Sequence, residues 1–190
     1  MSITHVPRQY MINAVTTAIY PRKHRVVYPA LGLAQEALEL AEAISDYEEA
    51  EANSPFDTAR LAELNAHILS ELGDCAWYAA NIAHDLDVPY DEITWTPATE
   101  LGPGDSGKEF EATLAALGKV AGLVKKGMRD HDNPGYRITE LMAALSHSFE
   151  FMDYLAVVCG STLDDVLRMN VEKLSGRAAR GTLGGDGENR

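Results

Sequence analysis

An all-α bundle is the fold this sequence predicts, on three observations. Apolar residues recur at steps of three and four along several long stretches, the period of a helix with one buried face. No stretch alternates apolar and polar residues as a half-buried strand would. Breaks rich in Pro, Gly, Asn and Ser separate the periodic stretches.

Residues 8–19 (RQYMINAVTTAI) form a short amphipathic helix ended by Tyr20-Pro21, because proline lacks an N–H and keeps the residue before it out of the helical region. The basic run Arg22, Lys23, His24, Arg25 follows, and Pro29 opens a second helix that reaches about Ala52. Its last part faces solvent, carrying Asp46, Glu48, Glu49 and Glu51. After Asn53-Ser54-Pro55, Asp57 or Thr58 caps a third helix that continues to about Leu86. The segment from Thr94 to Gly107 (TWTPATELGPGDSG), with two prolines and three glycines, reads as the one clear linker. Helices at about 108–127 and 137–159 follow, divided by RDHDNPG. Ser161 or Thr162 caps the last helix, whose acids stand in the first turn and bases towards the end, as the helix dipole prefers. The polar, glycine-rich end has the composition of an unstructured tail.

At 190 residues the chain is expected to form one domain, 1–190. Within it lie an acidic half (1–93), the linker (94–107), a basic half (108–176) and the tail (177–190). No apolar run approaches the roughly 20 residues that cross a bilayer, and MSITHVPRQYM has no apolar signal core. A cytoplasmic protein with no membrane partner is therefore expected. Cys75 and Cys159 sit in helical patterns without metal-ligand spacing and read as reduced, buried small residues.

The net charge of −13 argues against binding polymeric nucleic acid by phosphate neutralisation. The charge is unevenly spread. Residues 1–107 carry 5 Lys and Arg against 17 Asp and Glu, and residues 108–190 carry 11 against 12. Packed together, an acidic metal-binding wall would face a basic one, and a metal-bound polyphosphate fits between such walls.

The most informative feature is a set of four carboxylates in two pairs, Glu36 with Glu39 and Glu71 with Asp74. Each pair has i, i+3 spacing, which places both side chains near one helix face. That face is apolar: Leu64, Ile68, Glu71, Cys75, Tyr78 and Ile82 recur at steps of four and three, and Leu33, Glu36, Leu40 and Ile44 make a less regular seam. Carboxylates gathered on a buried seam repel one another unless protonated or joined by cations. An all-oxygen donor set suits Mg²⁺ or Mn²⁺. The plainer reading is that these acids edge a solvated face.

The halves are also faintly alike. Leu31-Gly32 matches Leu117-Gly118, and Tyr78, Ala83, Asp91, Glu92 and Ile93 match Phe151, Ala156, Asp164, Asp165 and Val166 at a constant offset of 73. The second half would then be a degenerate repeat without the acids.

Leu31-Gly32-Leu33, Glu36, Glu39, followed after a spacer by Glu71-Leu72-Gly73-Asp74 and Trp77-Tyr78, resembles the signature of MazG-like nucleoside triphosphate pyrophosphohydrolases, within the all-α NTP pyrophosphatase superfamily. The run Leu163-Asp164-Asp165-Val166, Asn170, Lys173-Leu174, Arg177 resembles the end of phage and bacterial members, and Lys125-Lys126-x-x-Arg129-Asp130 resembles the family's basic continuation. Two departures stand out: Ala37-Leu38 precedes the second Glu in place of a small pair, and the Lys-Lys run is missing after Glu39.

The resemblance implies that Glu36, Glu39, Glu71 and Asp74 hold two or three Mg²⁺ or Mn²⁺ ions, with Glu39 as the general base. It implies that Lys125, Lys126, Arg129, Lys173 and Arg177 meet phosphate oxygens. Asn13, Thr17, Tyr20, Trp77, Tyr78, Asn81 and Asn170 are candidates for the nucleotide, since amides read base edges and rings stack. His67, four before Glu71, is a candidate partner for it. The implied reaction takes a nucleoside triphosphate, with a lean towards a deoxynucleotide and a purine such as dGTP, to the monophosphate and pyrophosphate. A pyrimidine hydrolase of the dUTPase or dCTPase kind and a non-catalytic helical module stay open. A di-iron bundle needs Glu-x-x-His pairs, and the chain has none. Family relatives imply a homo-oligomer, dimer or tetramer.

Overall fold

The computed structural model describes residues 3–98 and 106–184, and among these the chain is largely helical. The helices are α1 (Arg8–Thr16), α2 (Val27–Asn53), α3 (Thr58–Asp85), α4 (Ser106–His131), α5 (Ile138–Val158) and α6 (Leu163–Ala179). No described helix is long and apolar enough to cross a membrane. Asp57 caps α3 by accepting from the Arg60 N–H at 3.0 Å, and Thr162 caps α6 by accepting from the Asp165 N–H at 3.1 Å. These are the short oxygen-bearing side chains that satisfy free N–H groups in a first turn.

Short turns fold α2 back on α3 and α4 back on α5, so two helical hairpins form the body, with α2 against α4 and α6 across α3. At an offset of 73 the buried positions of α3 and α5 coincide. Ile68, Glu71, Leu72, Cys75, Ala76 and Ala79 correspond to Leu141, Ala144, Leu145, Ser148, Phe149 and Met152, all buried. The hairpins differ where α2 meets α3. A Cβ on Gly32 would lie 2.1 Å from Tyr78 Cε1, whereas one on Gly118 would meet nothing within 4 Å. Gly32 thus lets the Tyr78 ring lie directly on the α2 backbone.

The expectation of no β-sheet is corrected. β1 (Thr4–His5) and β2 (Thr94–Trp95) pair antiparallel, with Thr4 opposite Trp95. Two residues a side are too few to show a period of two, and the partners lie 90 residues apart, one near the start of the acidic half and one at the start of the linker. The pairing follows from docking on α5. Trp95 stacks on Phe149 with centroids 5.6 Å apart, and Asp153 Oδ2 accepts from Trp95 Nε1 at 3.3 Å and from the Ala98 N–H at 2.9 Å. The first residues of the expected linker are therefore fastened to the body. Residues 99–105 of that linker lie outside the described residues.

Helix boundaries also shift, and α4 runs to His131, past its expected end at about residue 127. α1 stops at Thr16, short of Ile19, where Thr17 Oγ1 turns back to Ala14 O at 2.9 Å. α6 runs two residues past the expected start of the tail, burying Arg177, and a turn closed by the Thr182 N–H on Arg177 O follows. Residues 185–190 of the tail lie outside the described residues.

The segment between α1 and α2 is clipped to the end of α3 through Asp85. Its carboxylate accepts from Tyr20 Oη (2.9 Å), Arg25 Nε (3.1 Å) and the Val26 N–H (2.8 Å). Val26 stands at φ +62°, a conformation disfavoured for a β-branched residue. Asp85 thus holds the strained residue from which α2 starts.

Candidate metal centre

α2 and α3 present their acids to one another because both helices bury the seam on which the acids stand. Glu71 is 1% exposed, at the middle of α3, with Leu72 and Cys75 buried beside it. Asp74 lies one turn on, and Glu36 reaches across from α2. One oxygen from each of Glu36, Glu71 and Asp74 lies within 4.8 Å of the other two. Opposite ligands of a Mg²⁺ ion with bonds of about 2.1 Å stand about 4.2 Å apart. Only two of three ligands can be opposite, and neighbouring ones stand about 3 Å apart, so the three acids close by up to about 2 Å to share an ion.

The electrostatics favour such an ion. Burial, and then repulsion by Asp74, Glu39 and Glu71, pushes the Glu36 carboxyl up to about 8, with Lys173 opposing in part. A divalent cation reverses that balance by favouring the ionised forms. Burial, and then the same acids, hold the Cys75 thiol well above its ordinary range, so Cys75 acts as a small core residue. A hard, all-oxygen donor set of this kind matches Mg²⁺ or Mn²⁺.

α6 supplies the cationic and amide partners. Lys173 Nζ donates to Asp74 Oδ2 at 2.5 Å and to Ser70 Oγ at 3.0 Å, and Asn170 Nδ2 donates to Asp74 Oδ1 at 2.8 Å. Asn170 Oδ1 in turn accepts from Tyr10 Oη at 3.2 Å, so α1, α3 and α6 meet at Asp74. His67 Nε2 sits 3.0 Å from Glu71 Oε1, one helical turn before it. A pocket of about 230 Å³ opens beside Lys173, between Leu69, Ser70 and Gly73 of α3 and Met169 and Asn170 of α6.

The other expected site residues lie elsewhere. Glu39 stands outside the group of three, with Oε1 accepting from Gln35 Nε2 at 2.8 Å, although it is near enough to raise Glu36. Trp77 Nε1 donates to Ala14 O (3.0 Å) and Thr17 Oγ1 (2.9 Å), so the indole and Thr17 tie α3 to α1. Asn81 is fully buried, donating to Trp77 O at 2.9 Å and accepting from Tyr20 Oη at 3.4 Å. Asn13 accepts from Gln9 at 3.1 Å on the half-buried side of α1. Tyr78, hydrogen-bonded to Tyr28, lies against Glu36. Lys125 and Arg129 line a separate groove against Val27 and Leu31 of α2, and Lys126 is exposed on α4. Leu31 and Glu36 are five residues apart, roughly 140° around the α2 axis, so within one chain that groove and the acids occupy different faces. Arg177 is buried one turn beyond Lys173.

Sequence reasoning passed over Tyr10 and Asp85. Tyr10 looks like any aromatic on an amphipathic helix, and Asp85 like any acid at a helix end.

Comparison with known protein families, with curated proteins and with solved structures found no match.

Proposed function

We propose that the chain is a metal-dependent nucleoside triphosphate pyrophosphohydrolase that uses Glu36, Glu71 and Asp74 to hold Mg²⁺ or Mn²⁺. The observation that carries this reading is the convergence of those three carboxylate oxygens within 4.8 Å on buried helix faces. When bound, the metal would supply positive charge to the triphosphate and acidify water. The likeness of the four-acid pattern to the MazG-like signature supports the same reading, and homo-oligomerisation is part of it.

The chain's own residues then have defined tasks. Lys173 sits at the rim, 22% exposed against 14% for Asp74, and can turn its ammonium from Asp74 to a phosphate oxygen as charge builds there. Asn170 keeps Asp74 oriented while it does so. His67 steadies Glu71. Glu39, next to the group but outside it, takes the proton from the water that attacks the α-phosphorus. A bond from that water oxygen to phosphorus forms, the bond from the α-phosphorus to the bridging oxygen breaks, and pyrophosphate leaves with the electron pair. The pocket of about 230 Å³ beside Lys173 has room for one nucleobase, purine or pyrimidine.

The test is a panel of ribo- and deoxynucleoside triphosphates with Mg²⁺ or Mn²⁺, with pyrophosphate and orthophosphate measured separately. Stoichiometric pyrophosphate is expected; orthophosphate alone would overturn attack at the α-phosphorus. Glu71→Gln should lower turnover by roughly 100-fold or more, on the scale of losses at metal shells, with helicity unchanged. An inactive wild type whose Glu71→Gln form has no nucleotide phenotype would leave the acids as a charged face.

A further inference from the structure

Along the opposite side of α2 from the acids, its first turns and the C-terminal half of α4 enclose a groove of about 510 Å³. Val27, Leu31, Val124 and Met128 form its walls, two alanines fill the remainder, and Lys125 and Arg129 stand on its rim. Leu31 is 68% exposed and Met128 44%, large apolar side chains held out to solvent. Ligand pockets combine such apolar walls with a few polar groups, at volumes of about 300–1,000 Å³.

The charge on the rim is specific. Arg129 is engaged on both sides of its neighbour, Nε to Asp130 Oδ1 at 2.5 Å and Nη2 to Oδ2 at 2.8 Å, so that pair is neutral overall. Lys125 is exposed and makes no ion pair with any described residue. No acid lines the groove, in a chain whose net charge is −13. One uncompensated positive charge beside an apolar cleft matches a ligand with one negative charge. A polyanion would gain one contact and meet the repulsion of the whole molecule. Lys125 to Arg129 is one helical turn, and the lining residues of α4 from Ala121 to Arg129 span about 12 Å at 1.5 Å per residue.

We infer that this groove binds a monoanionic amphiphile, an organic acid with an apolar body about 10 Å long, whose head group meets Lys125 and whose body covers Leu31, Val124 and Met128. The site is independent of the hydrolase reading and lies on a face that the metal centre does not use.

Titration calorimetry on the full chain tests this with decanoate, with 8-anilino-1-naphthalenesulfonate and with neutral decanol, all below their micellar or solubility limits. Saturable one-to-one binding is expected for at least one anion, and the stronger of the two tells an aliphatic from an aromatic body. Competition between the anions is expected where both bind. Decanol should bind at least 10-fold more weakly. Lys125→Glu and Leu31→Glu change exposed side chains, so both should keep wild-type helicity and thermal unfolding while weakening the anion at least 10-fold. No saturable binding below millimolar, equal binding of decanol, or an unchanged affinity in Lys125→Glu would each overturn the inference. So would light scattering that shows a wild-type dimer lost in Leu31→Glu, since a second copy would then fill the groove.

Discussion

Lys173 and Asp74 meet across the α3–α6 interface, with Nζ 2.5 Å from Oδ2, and this pair puts a cation at the edge of the three-acid group. The ammonium occupies one Asp74 oxygen and Asn170 the other. Asp74 is thereby held ready beside Glu36 and Glu71, and Lys173 lowers the Glu36 carboxyl against the pull of its acidic neighbours.

Lys173→Met should therefore separate metal binding from turnover. Removing a positive charge beside the acids is expected to tighten Mg²⁺ or Mn²⁺ several-fold, because the ion no longer competes with an ammonium. Turnover is expected to fall by roughly 10-fold or more, since a charge-assisted contact to phosphate is lost. Calorimetric metal titration and pyrophosphate release, measured on one preparation, check the two directions. Weaker metal binding in the variant would sink the assignment of Asp74 as a ligand held by Lys173.

The Glu36 carboxyl gives a stability profile with a defined sign. In the folded chain burial and its acidic neighbours push it up to about 8, from an ordinary value of 4.5. Between those limits the folded state keeps a proton that the unfolded state has released, so stability falls as pH rises. The contribution is full below about pH 4.5 and is lost through about pH 8. Chelator-treated protein, unfolded in urea between pH 5.5 and 8.5, should show this decline. Glu36→Gln should flatten it, and saturating Mg²⁺ should do the same while releasing protons. A metal-free wild type whose stability does not depend on pH in that window would remove the buried-acid account.

The acids were legible in the sequence because local pattern carries them. Glu71 interrupts a seam whose other members are apolar at steps of three and four, with Asp74 three residues on, and burial of Leu64, Ile68, Cys75 and Ile82 bears the seam out. Helix caps at Asp57 and Thr162 were legible for the same reason, since a cap acts within three residues. What local pattern does not hold is the choice of partner. Lys173 lies 99 positions from Asp74 and Tyr10 lies 160 from Asn170. Charge counting suggested a basic wall opposite the acids, but helix phase sets Lys125 and Arg129 of α4 against another face of α2 and lets α6 deliver Lys173. Trp77, Asn81 and Thr17 carry the polar atoms of a base pocket, yet those atoms bond one another and α1. Nothing in one sequence separates an amide kept for a ligand from an amide spent on a helix junction.

At Gly32 the Tyr78 ring of α3 lies directly on the α2 backbone. A methyl group there would stand 2.1 Å from the Tyr78 ring, so Gly32→Ala must push the ring or α2 away. Overpacking of this kind costs about 1–3 kcal/mol, against the gain in helix propensity of up to about 1 kcal/mol that Ala brings. A net loss of stability in urea unfolding is expected, with weaker metal binding because Glu36 moves with α2. Gly118→Ala, at a position where a Cβ meets nothing, should be neutral or stabilising. Equal effects at the two sites would contradict the close approach at Gly32.

Asp85 sets where α2 begins, and its loss should be felt at the acids some distance away. The carboxylate is 5% exposed and accepts from Arg25, Tyr20 and the Val26 N–H, while Val26 is held at φ +62°. Removing one member of a buried ion pair costs about 3–5 kcal/mol. Arg25 is 38% exposed, which lets water reach the partner and brings the expected cost of Asp85→Ala to the lower end of that range. Arg25→Ala should cost less, because Tyr20 and the Val26 N–H still hold Asp85. Freed of its clip, Val26 can relax from a conformation that costs about 1–3 kcal/mol, and the first turns of α2 then shift. Urea unfolding of the two variants checks the order of stabilities. Hydrogen exchange should show faster amide exchange in residues 27–33 of Asp85→Ala, with the centre of α3 still protected. Protection of 27–33 equal to wild type would show that α2 is positioned by its packing on α3 and α4, and not by Asp85.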